Sequence, residues 1–262
     1  MRTVQFELLR PNEILEEKEK CSIVYLPIGP LEWHGPAMPY GTDAIAATEI
    51  AKRVARNIGG IVMPTLYMGT EKKRRKETLD SIGLDNNEYI VGMDFPNNSM
   101  TSLYAREDIF AVTVREHLRI LVNQGYKLIV IINGHGASGQ TAQLSRLADE
   151  FTGETCSKVI SVLGIAPLDE NDRDLGHATR LETSIQMAIN KDSVDLKQLP
   201  EKGEKIKSSD YGIVDADTFA GKPNKDKTVI FDPREATAEL GEKYIKAAVN
   251  MVSKIVKESY EI

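Results

Sequence analysis

The stretch from Ser22 to Asp43 constrains this chain more than any other. An apolar strand signal, Ser22 to Ile28, runs into Gly29-Pro30-Leu31-Glu32-Trp33-His34-Gly35-Pro36-Ala37-Met38-Pro39-Tyr40-Gly41-Thr42-Asp43, and a helical pattern opens at Ala44. From Ala44 to Ile58 the apolar residues Ile45, Ile50, Val54 and Ile58 recur at helical spacing, and Gly59-Gly60 ends the run. A strand, a loop and a helix in that order begin a parallel βαβ unit, where chemistry collects outside the carboxyl end of the strand. This loop carries two carboxylates and an imidazole, and its prolines and glycines restrict the backbone so that Glu32, His34 and Asp43 can converge. All three side chains are good ligands for a divalent cation, so the loop reads as half of a metal site. Thr42 or Asp43 also stands where a helix N-cap belongs, a structural role that competes for Asp43.

The same grammar recurs downstream. Leu128-Ile129-Val130-Ile131-Ile132 is a continuous apolar run, as expected of a central parallel strand covered on both faces, and it ends in Asn133-Gly134-His135-Gly136 before a helix from about Ser138 to Phe151. Ile61-Val62-Met63-Pro64 and Val159 to Leu163 read as further strands, and Glu107 to Gly125 as a helix with His117 an ordinary residue inside it. His177 lies in a loop, and Glu182 in the first turns of a helix running to about Asn190. Pro11 to Glu17 looks like a short surface helix, Asp192 to Asp226 is loop-rich and polar, and Ala236 to Tyr260 is a long amphipathic closing helix. The alternation predicts an α/β fold, a doubly wound parallel sheet in one domain.

Tyr67 to Ser99 is the least regular stretch. It holds Lys72-Lys73-Arg74-Arg75-Lys76, which reads either as a cationic lid over a polar or anionic substrate or as a solvated helical face. The net charge of −6 leaves no basic footprint, so nucleic acid is not an expected partner. No run approaches the roughly 18 apolar residues of a membrane span, and the polar, acidic first residues do not resemble a signal peptide, so a cytoplasmic protein is expected. Cys21 and Cys156 lack CxxC spacing and read as small buried hydrophobes in a reducing compartment.

Three of the four histidines therefore sit in loops just past strand signals. With Glu32, Asp43 and Glu182 they offer the mixed imidazole and carboxylate set that suits a first-row divalent metal. One ion needs about three such groups plus water, so this set has room for two ions sharing a carboxylate. No G-x-S-x-G elbow, P-loop or G-x-G-x-x-G is present, which removes the usual supports for serine hydrolases, nucleotidases and dinucleotide enzymes.

These residues carry a family resemblance. Glu32 to Asp43 resembles the E-x-H-G-x-x-x-P-x-G-T-D signature of the creatininase-like metal hydrolases, and Asn133-Gly134-His135-Gly136 is similar to that family's second ligand loop. His177-Ala178 followed by Glu182-Thr183-Ser184 resembles its third signature, H-A-G-x-x-E-T-S. The resemblance implies a single-domain three-layer sandwich around a mostly parallel sheet, two divalent ions (Zn²⁺ or Mn²⁺, with Fe²⁺ also accepted by such donors), and a homo-oligomer, a hexamer built from dimers. It implies that Glu32 and His135 hold one ion, that His34 holds the other and that Asp43 bridges them. Ala137 replaces a ligand that creatininase itself carries in the second loop, and Glu182 takes that role, as in members lacking that carboxylate. His177 is the implied general acid/base, a task for which imidazole is tuned near neutral pH.

The chain departs from the family's pattern at Ala37, Ala137-Ser138 and Thr179, and Phe95-Pro96-Asn97-Asn98 resembles the family's F-P-G-T after a longer insertion. Trp33, the only tryptophan, either walls the pocket or packs beneath it. Ligand positions persist while pocket positions differ, which points to a small polar cyclic substrate other than creatinine. Within the family, cyclic amides and formamides are cleaved, and one branch hydrolyses a carbon–carbon bond of a diketo-inositol, 3-dehydro-scyllo-inosose. A non-catalytic metal-binding module is the alternative from another class.

Overall fold

The computed structural model describes residues 3–81, 84–85, 87–95, 98, 100–204, 206 and 231–260. The part of the polar tail beyond 206, with Gly212, Gly221 and Pro223, lies outside the described residues, as do Pro96 and Asn97 of the F-P-G-T-like stretch.

Strand β1 (Ile23–Gly29) is fully buried and forms the centre of a parallel sheet with β4 (Leu128–Asn133) on one side. β5 (Lys158–Leu163) continues the sheet beyond β4. On its other side β1 pairs with two short pieces, β2 (Ile61–Val62) near its start and β3 (Leu66–Tyr67) near its end. The predicted second strand, Ile61 to Pro64, is therefore two residues shorter, because Pro64 has no N–H to donate to a ladder. Every pairing between strands is parallel.

Period-two alternation along these strands sorts the core into two layers. Ile23, Tyr25, Leu128, Val130 and Ile132 face one way and pack with the helices α2 (Thr42–Ile58), α6 (Arg180–Ile189) and α7 (Ala238–Tyr260). Val24, Leu26, Ile28, Ile129 and Ile131 face the other way, against α4 (Glu107–Asn123) and α5 (Ser138–Glu154). The result is a three-layer sandwich, and burying each of the Val, Leu and Ile side chains among these contributes about 1.5–3 kcal/mol. The described residues hold two further α-helices, α1 (Pro11–Lys20) and the six-residue α3 (Lys76–Ser81).

The stretch predicted as irregular runs across the carboxyl ends of the strands. Arg74 N donates to Ile90 O and Gly92 N to Lys72 O, so residues 72–74 form a strap against 90–92. Only Lys76 of the basic run enters a helix, which corrects the helical-face reading. Both cysteines are free thiols; Cys21 is half-buried, but Cys156 is exposed in the bend between α5 and β5, which corrects the reading of it as a buried hydrophobe.

Candidate metal centre

Each candidate side chain stands where a parallel strand hands the chain to a helix. Past β1, the loop is fixed by its own backbone and by the 100–104 segment: Glu32 N donates to Tyr40 O at 2.9 Å, Leu103 N to Leu31 O at 2.7 Å, and Trp33 N to Ser102 Oγ at 3.0 Å. Asp43 lies in the first turn of α2, where the helix N-terminus favours a negative charge. Its carboxylate makes no capping hydrogen bond, and the hydroxyl of Thr42 bonds to Pro39 O instead, so the capping alternative for Asp43 does not hold. Past β4, Asn133 folds back on its own loop. Its Oδ1 accepts from His135 N at 3.0 Å and its Nδ2 donates to His135 O at 2.8 Å. Gly134 is required here, because a Cβ would stand 2.1 Å from the carbonyl oxygen of Asp43. Ahead of α6, Ala178 adopts φ +53°, a left-handed conformation rare outside glycine, and donates its N–H to Glu182 Oε2 at 2.6 Å.

The structure brings Glu32, His34, Asp43, His135, His177 and Glu182 together; all but the half-buried His177 are buried. His135 Nδ1 lies 3.1 Å from Glu32 Oε2 and 2.9 Å from Asp43 Oδ2. His34 Nε2 lies 3.2 Å from Asp43 Oδ1 and 3.7 Å from Glu182 Oε2. Two groups capable of holding a cation, Glu32–Asp43–His135 and His34–Asp43–Glu182, thus share Asp43. A third group is Glu32–His34–His177, whose histidine rings stack with centroids 4.1 Å apart. Five of these residues, Glu32, Asp43, His135, His177 and Glu182, line a cavity of about 380 Å³, and His34 lies buried behind them.

The donor atoms fit metal ions better than they fit one another. Glu32 Oε2, Asp43 Oδ2 and His34 Nε2 are buried without a hydrogen-bond partner, although oppositely polarised atoms stand within 3.2 Å. His34 Nδ1 donates to Glu32 O at 3.0 Å and so carries a proton in either charge state, which leaves Nε2, aimed at the carboxylates, as the atom that a second proton or a metal ion takes. Buried lone pairs facing one another are costly unless a cation stands between them.

Charge balance points the same way. Burial opposes a charged His34, yet the charge and hydrogen bond of Asp43, with Glu182 and Glu32 behind it, push its pKa up to about 10. Burial likewise opposes a charge on His135, and Glu32 and Asp43 hold its pKa well above the usual value. Burial works against ionisation of Glu32 too, but His135, His177 and His34 keep its pKa well below the ordinary carboxylate range. Burial pushes Glu182 up to about 7. His177 behaves differently: burial and the charge of His34 depress it to about 4, so it is neutral at physiological pH rather than tuned near it. Its Nε2–H donates to Trp33 O at 2.6 Å, which leaves the Nδ1 lone pair 3.9 Å from Glu32 Oε2.

Sequence reading missed several residues that hold the site. Tyr104 donates its hydroxyl to Glu32 Oε1 and accepts from Met93 N, and Gln140 bridges Asn133 Oδ1 to Thr70 N. Trp33 is buried and does not line the cavity, so its contributions are packing and its carbonyl. Of the basic run, Arg74 lines the cavity. His117 bonds Thr113 O within its own helix.

A parallel sheet with a carboxylate–imidazole cluster at its strand ends defines the class of metal-dependent hydrolases. The chain belongs to the creatininase family: the family model for creatinine amidohydrolase matches residues 7–256. It is 23% identical over 256 residues to creatinine amidohydrolase of Pseudomonas putida, covering 91% of this chain and 90% of that protein. It is 32% identical over 133 residues to a 3-dehydro-scyllo-inosose hydrolase of Thermotoga maritima, covering 51% of this chain and 36% of that protein. Its fold matches a solved "Creatininase Mn" at a TM-score of 0.68 and 22% identity, and a mutant creatininase of "Zn-Zn type" at 0.69 and 22%, each over 98% of both chains. Among the described residues, no helix is long and apolar enough to cross a membrane.

Proposed function

We propose that this chain is a dinuclear hydrolase that opens a small, polar, cyclic carbonyl compound. The observation that carries this reading is the sharing of Asp43 between two ligand groups. Glu32, Asp43 and His135 would hold one ion, and His34, Asp43 and Glu182 the other. Bound there, a pair of Zn²⁺ or Mn²⁺ ions supplies Lewis acidity, which lowers the pKa of water and polarises the carbonyl under attack.

The work of the protein centres on His177. Its Nε2–H is committed to Trp33 O, so its Nδ1 is the atom that takes a proton from the attacking water. Water adds its oxygen to the carbonyl carbon, and the ring bond breaks with its electrons moving to the departing atom. That atom receives the proton that Nδ1 carried. Burial of the ring favours the neutral imidazole, which leaves Nδ1 unprotonated at the start of the cycle. Tyr104 and the Glu32 backbone carbonyl hold Glu32 and His34 in orientation, so little rearrangement is needed on reaction.

Two substrate readings have support. A near end-to-end match to a creatinine amidohydrolase favours a cyclic amide, in which a C–N bond breaks. Higher identity to an inosose hydrolase over half the chain favours a diketo-inositol, in which a C–C bond breaks and the second carbonyl accepts the electrons. Metal-loaded protein assayed against a diketo-inositol and against creatinine, with product mass measured, separates the two: the true substrate gains one water. His177→Ala is expected to reduce turnover at least about 100-fold while metal content stays at the wild-type level. Equal loss of both would make His177 a ligand or a structural residue. Full metal content with no turnover of any cyclic carbonyl would leave a non-catalytic metal-binding module. Family membership extends the reading to a homo-oligomer, which the particle mass in solution tests.

A further inference from the structure

Residues 102–104 brace residues 31–33 of the first ligand loop, one for one. Leu103 N donates to Leu31 O at 2.7 Å, the Tyr104 hydroxyl sits on Glu32 Oε1, and Ser102 Oγ accepts from Trp33 N at 3.0 Å. The brace is held from behind in its turn: Ser102 N donates to Asp94 Oδ1 at 2.6 Å, and Met93 N to the Tyr104 hydroxyl at 3.1 Å. The Ser102 contact reaches further than the other two, because the carbonyl of the same Trp33 accepts from His177 Nε2 at 2.6 Å. Trp33 has no comparable anchor on its side chain. Its indole Nε1 is buried without a hydrogen-bond partner, and its ring meets Tyr40 edge-on with centroids 6.1 Å apart. The direction of the Trp33 carbonyl therefore depends on where the backbone N–H of that residue is tied.

We propose that Ser102 is a positioning residue for His177: by holding the Trp33 N–H it aims the Trp33 carbonyl, and the carbonyl fixes which ring nitrogen of His177 carries the proton. A carbonyl only accepts, so the nitrogen that meets it must be protonated, and Nδ1 keeps its lone pair. Should the carbonyl swing away, either nitrogen can carry the proton, and a ring protonated at Nδ1 has no lone pair there to take a proton from water. Stacking on His34, with centroids 4.1 Å apart, steadies the ring but does not choose between its nitrogens. Ser102 and Trp33 are both buried, so deleting the hydroxyl leaves a buried N–H unsatisfied and the loop shifts to find it another partner. The inference rests on the reading of His177 as the general base, but the tautomer is measured without turnover.

The test is nitrogen NMR of isotope-labelled histidines in zinc-loaded protein, with the His177 signals identified by their absence from His177→Ala, run beside kcat, KM and metal content. Wild type is expected to show His177 as a single tautomer with its proton on Nε2. Ser102→Ala should move both ring nitrogens toward the shifts of a tautomer mixture and lower kcat about 10-fold or more, with KM and metal content little changed. Ser102→Thr retains the hydroxyl and should restore both readouts. Ser102→Cys keeps the shape and weakens the acceptor, so it should move His177 the same way by less, and it decides the question if Ser102→Ala does not fold. An unmoved His177 in the Ala and Cys variants, or a kcat that falls only in step with metal content, would overturn the proposal. A tautomer that responds to both substitutions, in a protein that turns over no cyclic carbonyl, would uphold the positioning while sinking the reaction proposed above; an unmoved tautomer in an active enzyme would do the reverse.

Discussion

Tyr104 shows how much of this site rests on a residue outside the candidate ligand set. It stands 72 positions from Glu32, yet its hydroxyl sits on Glu32 Oε1, and Met93 N–H, bonded to the same hydroxyl at 3.1 Å, fixes where that oxygen lies. Burial and the neighbouring Glu32 charge raise the Tyr104 pKa far above its usual value, so it remains a donor throughout the working range. Glu32 Oε2 is thereby left to face His135 and Asp43. Removing a hydrogen-bond partner of this kind from a metal ligand commonly weakens metal affinity by about 10–100-fold. Tyr104→Phe is accordingly expected to bind Zn²⁺ or Mn²⁺ more weakly by that factor in chelator competition, with a far-UV spectrum like wild type. Unchanged affinity would mean that Glu32 needs no such support.

At the scale of elements, the site depends on how closely helices approach the strand ends and one another. α7 packs on α6 through Gly241, where a Cβ would stand 1.9 Å from Ser184 O and 2.9 Å from the Ala188 methyl. Ser184 is two residues beyond Glu182 on α6, so the crossing of α6 and α7 also places the Glu182 carboxylate. Gly241→Ala sets two effects against each other. Helix propensity gains about 1 kcal/mol, while overpacking costs about 1–3 kcal/mol. At 1.9 Å the backbone itself must move, so the cost lies at the upper end and the net loss is about 2 kcal/mol. A urea midpoint lower than wild type, together with weaker metal binding, is the expected result; a stabilised variant would show that the α6–α7 contact is loose. Elements of two to six residues, such as β3 and α3, carry no readable period, which is why the stretch around them read as irregular.

At the scale of the whole molecule, the proposed metal site would couple protons, metal and stability through one cluster. In the metal-free chain the folded pKa of His34 is raised to about 10, against about 6.5 when unfolded. A raised folded pKa stabilises the native state fully below the unfolded value, and that stabilisation is lost as pH climbs toward about 10. Metal ions need the bare imidazole, so their binding strengthens over the same interval, as the competing proton is released. The gap in Tm between metal-loaded and metal-free protein is therefore expected to widen between pH 6.5 and pH 10. A gap independent of pH would show that His34 is not paired with Asp43 in the native chain.

Hydrophobic periodicity in the sequence was enough to predict a doubly wound parallel α/β sheet, with the three-layer sandwich added by the family resemblance, because strand burial on both faces and helix amphipathicity are local patterns written every two or every three to four residues. Loop chemistry was also enough to nominate Glu32, His34, Asp43, His135, His177 and Glu182, since glycines and prolines after strand signals mark where a sheet presents side chains. Tertiary structure alone decided that Asp43 faces two imidazoles rather than capping its helix, that Trp33 packs while Arg74 and Glu71 reach the cavity, and that Tyr104 and Gln140 hold the ligand loops. They include contacts between residues 70 and 72 positions apart, Gln140 with Thr70 and Tyr104 with Glu32, and groups whose direction depends on neighbouring elements. No local pattern encodes them, because they follow from the closeness with which helices and strap settle on the ends of the strands.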